Sequence, residues 1–367
     1  MQLTIDRPMM THEGRTRAAA PPDGPTRIGV IGAGRRGQGN FLPALTCLHG
    51  EFSIAWVHSR TRERLRHVAS CWNVEPAEWL DDDTLGSVDA VAVSVPIEQN
   101  IPVLKMLEPH ASRLTVVIDT PITQSLRDAL TCAKLLAKFK SVLVSEDYMN
   151  FPEFELARRA VAAGLIGRVS RINLNGLGYR YHGLALLRSF ADFAPVRSTR
   201  RRNLGGAAIA IDYRFRGGLS GCVIGPYRRD SGDFSIEGEN GAIAAFPGGQ
   251  PHDVQRGTSR HMMRFDRVDG VLASVSLESN SSRHEIPLSE IGSLIGLPFA
   301  DKSEINLKRS WGLMQVFMSL REENLNRRYG FRNALYDSLI SRAADKLPLL
   351  FDPTTYAGTN AFDLMVA

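Results

Sequence analysis

The sequence predicts an α/β protein in two parts: a doubly wound parallel sheet, then an α+β domain with an open, mostly antiparallel sheet. Three observations carry this reading. From Arg27 to about Glu146, short β-rich runs alternate with helical patterns, as in successive β-α-β units with right-handed crossovers. Two of the runs, Val88–Val95 and Leu114–Asp119, are nearly continuous apolar stretches, which suits parallel strands covered on both faces. After Asn150 the texture changes to β-rich segments separated by polar, glycine-containing turns, the pattern of antiparallel strands.

In order, the expected strands of the first part are Arg27–Ile31, Phe52–His58, Ala90–Val95, Thr115–Asp119 and Ser141–Ser145. The helices between them are Gln38–Leu48, Arg62–Trp72, Ile101–Glu108 and Ser125–Phe139. The second part opens with a helix over Phe151–Ala163, stopped by Gly164 and Gly167. Strands are expected at Arg168–Asn175, Ala207–Phe215, Gly218–Ile224, Asp233–Phe246, Met262–Asp266 and Val271–Ser276. Helices at Ser310–Arg327 and Arg332–Ala344 close the chain. The expected division is a disordered tail over 1–25, a first domain over 26–148 and a second over 149–367.

At 367 residues the chain exceeds one ordinary core, so two domains are the natural expectation. No apolar run approaches the ~20 residues a membrane span requires, and Met1–Pro25 lacks the apolar centre of a secretory signal. The four cysteines are scattered without a CxxC pair, which argues against a disulfide framework and suits a reducing cytoplasm. The nine histidines show no paired spacing, so no metal is expected. The net charge of +5 resides in arginine clusters such as Arg197 with Arg200–Arg202, without any nucleic-acid-reading motif. These clusters read as a solvated face or a small-anion site, and neither a nucleic acid nor a membrane is expected as partner.

The segment Gly32-Ala-Gly34-Arg35-Arg36-Gly37 follows a β-run directly and opens a helical pattern. In that context a GxGxxG pattern signals a dinucleotide site of the Rossmann type. Gly32 allows the tight turn, Gly34 lets backbone approach a pyrophosphate, and Gly37 lets the helix pack closely. The anion then sits at the positive end of the helix. The second strand ends in His58-Ser59-Arg60-Thr61-Arg62, without the acid that would bind the ribose hydroxyls of NAD. A hydroxyl followed by arginines suits a 2′-phosphate, because guanidinium forks onto phosphate oxygens. NADP is therefore favoured, with NAD possible.

Several segments, taken in order, resemble the glucose-fructose oxidoreductase / inositol dehydrogenase / rhizopine-catabolism (Gfo/Idh/MocA) family. Val88–Pro96 is similar to the strand that ends over the nicotinamide side, and Asp119-Thr120-Pro121 stands where the family carries Glu-Lys-Pro. Phe151–Val169 looks like the linking helix and its exit, and Phe234–Ile243 like a hairpin of the second domain. The resemblance implies a Rossmann domain packed on an open sheet, with the active site in the cleft between them. It also implies NAD(P)-dependent dehydrogenase or reductase chemistry on sugar-like or biosynthetic carbonyl or imine compounds. A small-molecule substrate, an anionic one among the candidates, and a homodimer or homotetramer follow as expectations.

The resemblance assigns Val95, Pro96 and Pro121 to the cofactor and places His182 at the family's acid/base position. The departures are equally specific. Thr120 replaces the signature lysine, Asp119 the glutamate, Asn100 a histidine, and Gly178 the acid expected four residues before His182. A histidine can exchange a proton near neutral pH; Tyr148, Tyr179 and Tyr181 are further candidate donors, and Arg180 a candidate anion ligand. The alternatives are an enzyme that holds the nucleotide in a non-redox reaction and a catalytically inactive binding or regulatory protein.

Overall fold

The computed structural model describes residues 24–123, 125–179, 181–228, 232–245, 259–278, 283–294, 303–321 and 329–351. The expectations for 1–23, Arg180, Phe246 and 322–327 lie outside the described residues.

The first part comprises β1 (Thr26–Ile31), α1 (Leu42–Cys47), β2 (Phe52–His58), α2 (Arg62–Trp72), β3 (Glu75–Ala77), α3 (Asp82–Gly86), β4 (Ala90–Val93), α4 (Asn100–Leu107), β5 (Thr115–Asp119), α5 (Leu126–Leu136) and β6 (Ser141–Ser145). Its six strands are all parallel, in the order β3-β2-β1-β4-β5-β6. The order reverses between β1 and β4, and a crevice forms outside the carboxyl ends of the strands at such a reversal. Val30, Val91, Val93, Val116, Val117 and Ile118 are fully buried, as the continuous apolar runs require. The sequence reading overlooked β3 because it is Glu-Pro-Ala. Pro76 gives no N–H to a ladder, and β3 accommodates it by lying at the sheet edge.

The second part contains α6 (Pro152–Ala162), β7 (Val169–Asn175), α7 (Tyr181–Ser189), β8 (Val196–Gly205), β9 (Ala208–Phe215), β10 (Ser220–Gly225), β11 (Asp233–Gly238), β12 (Gly241–Ala245), β13 (Ser259–Val268), β14 (Val271–Glu278), β15 (Arg283–Pro287), α8 (Ser289–Leu294), α9 (Glu304–Met318), α10 (Phe331–Lys346) and β16 (Leu349–Phe351). The ten strands form one open sheet, β15-β14-β13-β12-β11-β7-β10-β9-β8-β16. All neighbours are antiparallel except β7 with β10 and β12 with β13. The single β-run expected over Asp233–Phe246 is the hairpin of β11 and β12. Ile172, Leu174, Tyr213, Phe234 and Ile236 are buried on one face. The alternate residues turn the other way, and there Arg202 forks onto Asp212 at 2.6 and 2.9 Å.

The chain then returns to the first sheet. Leu313, Val316 and Phe317 of α9 share a core with Ile28, Val30 and Phe41, and Phe317 meets Phe41 edge-on at 5.9 Å. This helix starts six residues before the expected Ser310, because its buried residues include Asn306, Lys308 and Ser310. These polar groups hide the apolar period. Lys308 Nζ lies 2.9 Å from Glu153 and 2.8 Å from Glu304, and Ser310 Oγ accepts from Asn40 at 3.3 Å. Among the described residues no helix is long and apolar enough to cross a membrane.

Candidate active site

The loop after β1 is shaped by steric demands that differ from one glycine to the next. Gly32 has φ +118°, and a Cβ there would lie 1.9 Å from the Ser94 carbonyl oxygen, so both conformation and space require glycine. At Gly34 a Cβ would meet nothing within 4 Å; its backbone borders open space. Gly37 packs so tightly that a Cβ would sit 2.0 Å from the Gly32 carbonyl oxygen. The helix begins with a π-turn over Gly37–Phe41 before α1. Pro43 has no N–H to offer the Gly39 carbonyl, which instead accepts from Ser310 Oγ at 3.4 Å.

A cavity of about 320 Å³ opens beside this loop. It is lined by Gly32–Gly34, by Ser59, Arg60, Thr61 and Arg64 after β2, and by Val95 and Pro96 after β4. Arg60 donates to Gln99 Oε1 at 3.1 Å. Arg62 is not among the lining residues; its guanidinium lies 5.7 Å over the Trp79 ring and 3.9 Å from Glu78. Residues two apart on a helix point ~200° apart, so only one of Arg62 and Arg64 can face the cavity. Helical phase was the signal that identifies Arg64. Arg35 is exposed on the loop.

Toward β5 and β6 the site becomes a dense polar network. Asp119, at the end of β5, accepts from Ser145 Oγ at 2.7 Å and Ser94 Oγ at 3.2 Å. Arg36 turns inward from the glycine loop, with Nε 3.3 Å from Asp119 and the second terminal nitrogen 2.8 Å from Asp147. Its remaining nitrogen donates to Asn40 Oδ1 at 3.0 Å. Burial by itself would lower the Arg36 pKa, but Asp119 and Asp147 outweigh it and raise it above the ordinary value. After Asp119 comes a cis Thr120–Pro121 peptide. Asn100 donates to the Ile122 carbonyl at 2.9 Å and so ties down the following turn.

His182 stands at the start of α7, with Nδ1 2.7 Å from Glu146 Oε1. Glu146 is completely buried; burial pushes its pKa up while the contact with His182 pulls it down, and the net direction is upward. The imidazole lies against Tyr181 at 4.2 Å and Tyr148 at 5.5 Å, with Tyr179 at 6.5 Å. Tyr148 donates its hydroxyl to the Leu177 carbonyl, and Thr120 acts on the Tyr181 phenol. Burial holds both phenols well above their ordinary pKa. The structure also explains Gly178: a Cβ there would lie 2.7 Å from Val223 and 3.0 Å from the Gly183 Cα. A carboxylate cannot fit at 178, and Glu146 reaches the imidazole from the end of β6. Sequence reasoning missed Glu146; the available signal was the acid pair Glu146-Asp147 directly after a buried parallel strand. Among the described residues no cluster of His, Cys, Asp or Glu could hold a metal ion.

A six-stranded Rossmann sheet, a glycine-loop cavity and a histidine–carboxylate pair that joins the start of α7 to the end of β6 are the features of an oxidoreductase that binds a nicotinamide dinucleotide. Residues 26–148 match the model of the GFO_IDH_MocA family, described as an oxidoreductase family with an NAD-binding Rossmann fold. Sequence comparison with curated proteins yields no match. Among solved structures, an oxidoreductase from Thermotoga maritima is 18% identical, with 89% of this chain and 98% of that one covered and a TM-score of 0.60. An inositol dehydrogenase homolog from Azotobacter vinelandii, complexed with NAD+, is 13% identical, with 90% and 98% covered and a TM-score of 0.58. A 3-ketoreductase from Actinomadura kijaniata, in complex with NADP, is 15% identical, with 87% and 96% covered and a TM-score of 0.52.

Proposed function

We propose that this protein is an NADPH-dependent reductase of a carbonyl or imine on a sugar-like or biosynthetic small molecule. The observation that carries the reading is the buried Glu146 carboxylate held on His182 at 2.7 Å. A histidine oriented through one ring nitrogen by a carboxylate has the other nitrogen set for proton exchange. Two features support a dinucleotide in the cavity: Gly34 borders open space that a pyrophosphate would use, and Ser59, Arg60 and Arg64 line the cavity and would hold a 2′-phosphate. When bound, the nicotinamide supplies hydride at its C4. His182 gives the proton that balances hydride arriving at the substrate carbon, or takes one in the reverse direction. Glu146 selects the tautomer and stabilises the imidazolium. Tyr148 spends its hydroxyl on Leu177 and serves as a wall, whereas the Tyr181 ring lies against the imidazole. Val95 and Pro96 line the cofactor cavity, whereas Pro121, expected at the cofactor, is not among its lining residues.

The inactive binding protein is the second reading, favoured by one observation: Asp119 is already engaged by Arg36, Ser94 and Ser145, and Thr120 adds no charge. Fluorescence titration with NADPH and NADH, followed by absorbance at 340 nm against a panel of ketones and imines, separates the two. Binding with turnover supports the reductase; binding without turnover across the panel supports the silent protein. Failure of both nucleotides to bind overturns both readings. A homo-oligomer through the open face of the ten-stranded sheet and a reducing, cytoplasmic location complete the proposal; the four unpaired cysteines suit the latter.

A further inference from the structure

The glycine loop contributes a second, unassigned device. Arg36 belongs to the loop by sequence, yet it reaches past the cavity to the ends of β5 and β6 and contacts two carboxylates there. We propose that Arg36 is a positioning residue for the reaction: by cancelling the charge of Asp119 and Asp147 it sets the pH at which the His182–Glu146 pair exchanges its proton. This inference rests on the role given above to His182.

The argument is electrostatic and starts from placement. Glu146 and Asp147 are consecutive, so the carboxylate on Arg36 and the one on His182 hang from neighbouring backbone units. Asp147 acts on Glu146 as a like charge. Like charges within a few ångströms, in a poorly hydrated site, favour the protonated forms of their neighbours. Three carboxylates, Asp119, Glu146 and Asp147, thus converge at one end of the first sheet. Arg36 opposes two and His182 the third.

The other groups around the pair leave this balance in place. Tyr148 and Tyr181, against the imidazole, are held neutral by burial. Asp337 of α10 acts on Glu146 from behind, but its own charge is met by Arg188 at 2.7 Å. Arg309 of α9 and Glu153 of α6 act on Tyr148 with opposite signs, and Glu153 is met by Lys308. Arg36 is the cation in direct contact with the carboxylates next to the pair. Its half-buried fork, with Asn40 on the remaining nitrogen, fixes the guanidinium where a flexible surface arginine would be screened more fully by water.

The test compares the wild type with R36Q, R36K, and R36Q combined with Asp147→Asn. Two readouts are used: the pH profile of kcat/KM, and the NMR titration of the His182 ring, assigned by its disappearance in His182→Gln. Loss of the guanidinium charge is expected to move both midpoints up by about one pH unit, with R36K shifted less. The added Asp147→Asn change should return most of that shift by removing the uncompensated carboxylate. If folded R36Q titrates like the wild type, or if Asp147→Asn fails to reverse the shift, the proposal is overturned. Should R36Q not fold, R36K and Asp147→Asn alone decide: Asp147→Asn must move both midpoints downward, and an unchanged midpoint refutes the idea. Because the NMR titration needs no turnover, a shift there in an inactive protein upholds the coupling while the reductase reading falls.

Discussion

The two halves of the cleft are built on opposite principles. On the side of β1 and β2 the site is mostly backbone and space: glycines that permit a turn, an open cavity, and arginines at its rim. On the side of β5 and β6 it is almost entirely charge, with Arg36 paired to Asp119 and Asp147 and, through the next residue in the chain, Glu146 paired to His182. The first kind of site recognises a ligand through shape and a few charge-assisted bonds. The second is suited to the proton-transfer role proposed for His182, because desolvated charges act strongly on one another. The difference teaches that binding and chemistry can fail separately in this protein.

The largest expected break is on the charged side. His182→Ala should lower kcat/KM by ~10²–10⁴-fold, read at 340 nm, and should leave NADPH affinity within a few-fold. Unchanged turnover would remove His182 from the mechanism. Next comes Gly34→Ala on the open side. Since its Cβ would meet no protein atom, the melting temperature should stay within a degree or two of wild type. Dinucleotide affinity should nonetheless fall ~10-fold or more, because the added methyl occupies the approach of the pyrophosphate. An unaltered affinity would mean that the cavity holds something other than a dinucleotide.

The rim arginines sharpen the comparison further. Arg60→Ala and Arg64→Ala should each weaken NADPH binding ~10-fold and NADH binding much less, as loss of one charged bond to a phosphate requires. Arg62→Ala should change neither, since Arg62 is turned onto Trp79 and Glu78. Isothermal titration of each variant with both cofactors checks this, and an Arg62 effect equal to that of Arg64 would contradict the orientation.

The smallest effect concerns stability. Glu146 has its pKa raised in the folded state, so the fold binds its proton more tightly than the unfolded chain does. Its favourable contribution is complete below the ordinary value of 4.5 and is lost as pH rises through the folded value. Glu146→Gln should therefore melt a few degrees above wild type near pH 8 and converge with it toward pH 4, while losing activity ~10²-fold. Curves that run parallel at all pH values would show that the buried carboxylate carries no such penalty.

Much of the architecture was legible along the chain because it follows from local chemistry. Val116, Val117 and Ile118 announce a strand buried on both faces, and Gly32 announces a turn that only glycine makes. The same applies to Ser59 and Arg60, the two residues that follow the end of β2. The exceptions have local reasons too: Pro76 conceals an edge strand, and Lys308 and Asn306 conceal the first turns of a helix.

The sequence by itself determined the order of sheets, the dinucleotide loop, the acid-free end of β2 and the candidacy of His182, since each depends on residues close in the chain. Only the tertiary structure decided what surrounds that histidine. Glu146 is 36 residues from His182, and Arg36 is 83 residues from Asp119. Their pairing arises because parallel strands deliver every carboxyl end to the same edge of the sheet. No spacing along the chain encodes which charges will then be neighbours, and buried charge is settled by what it meets in space.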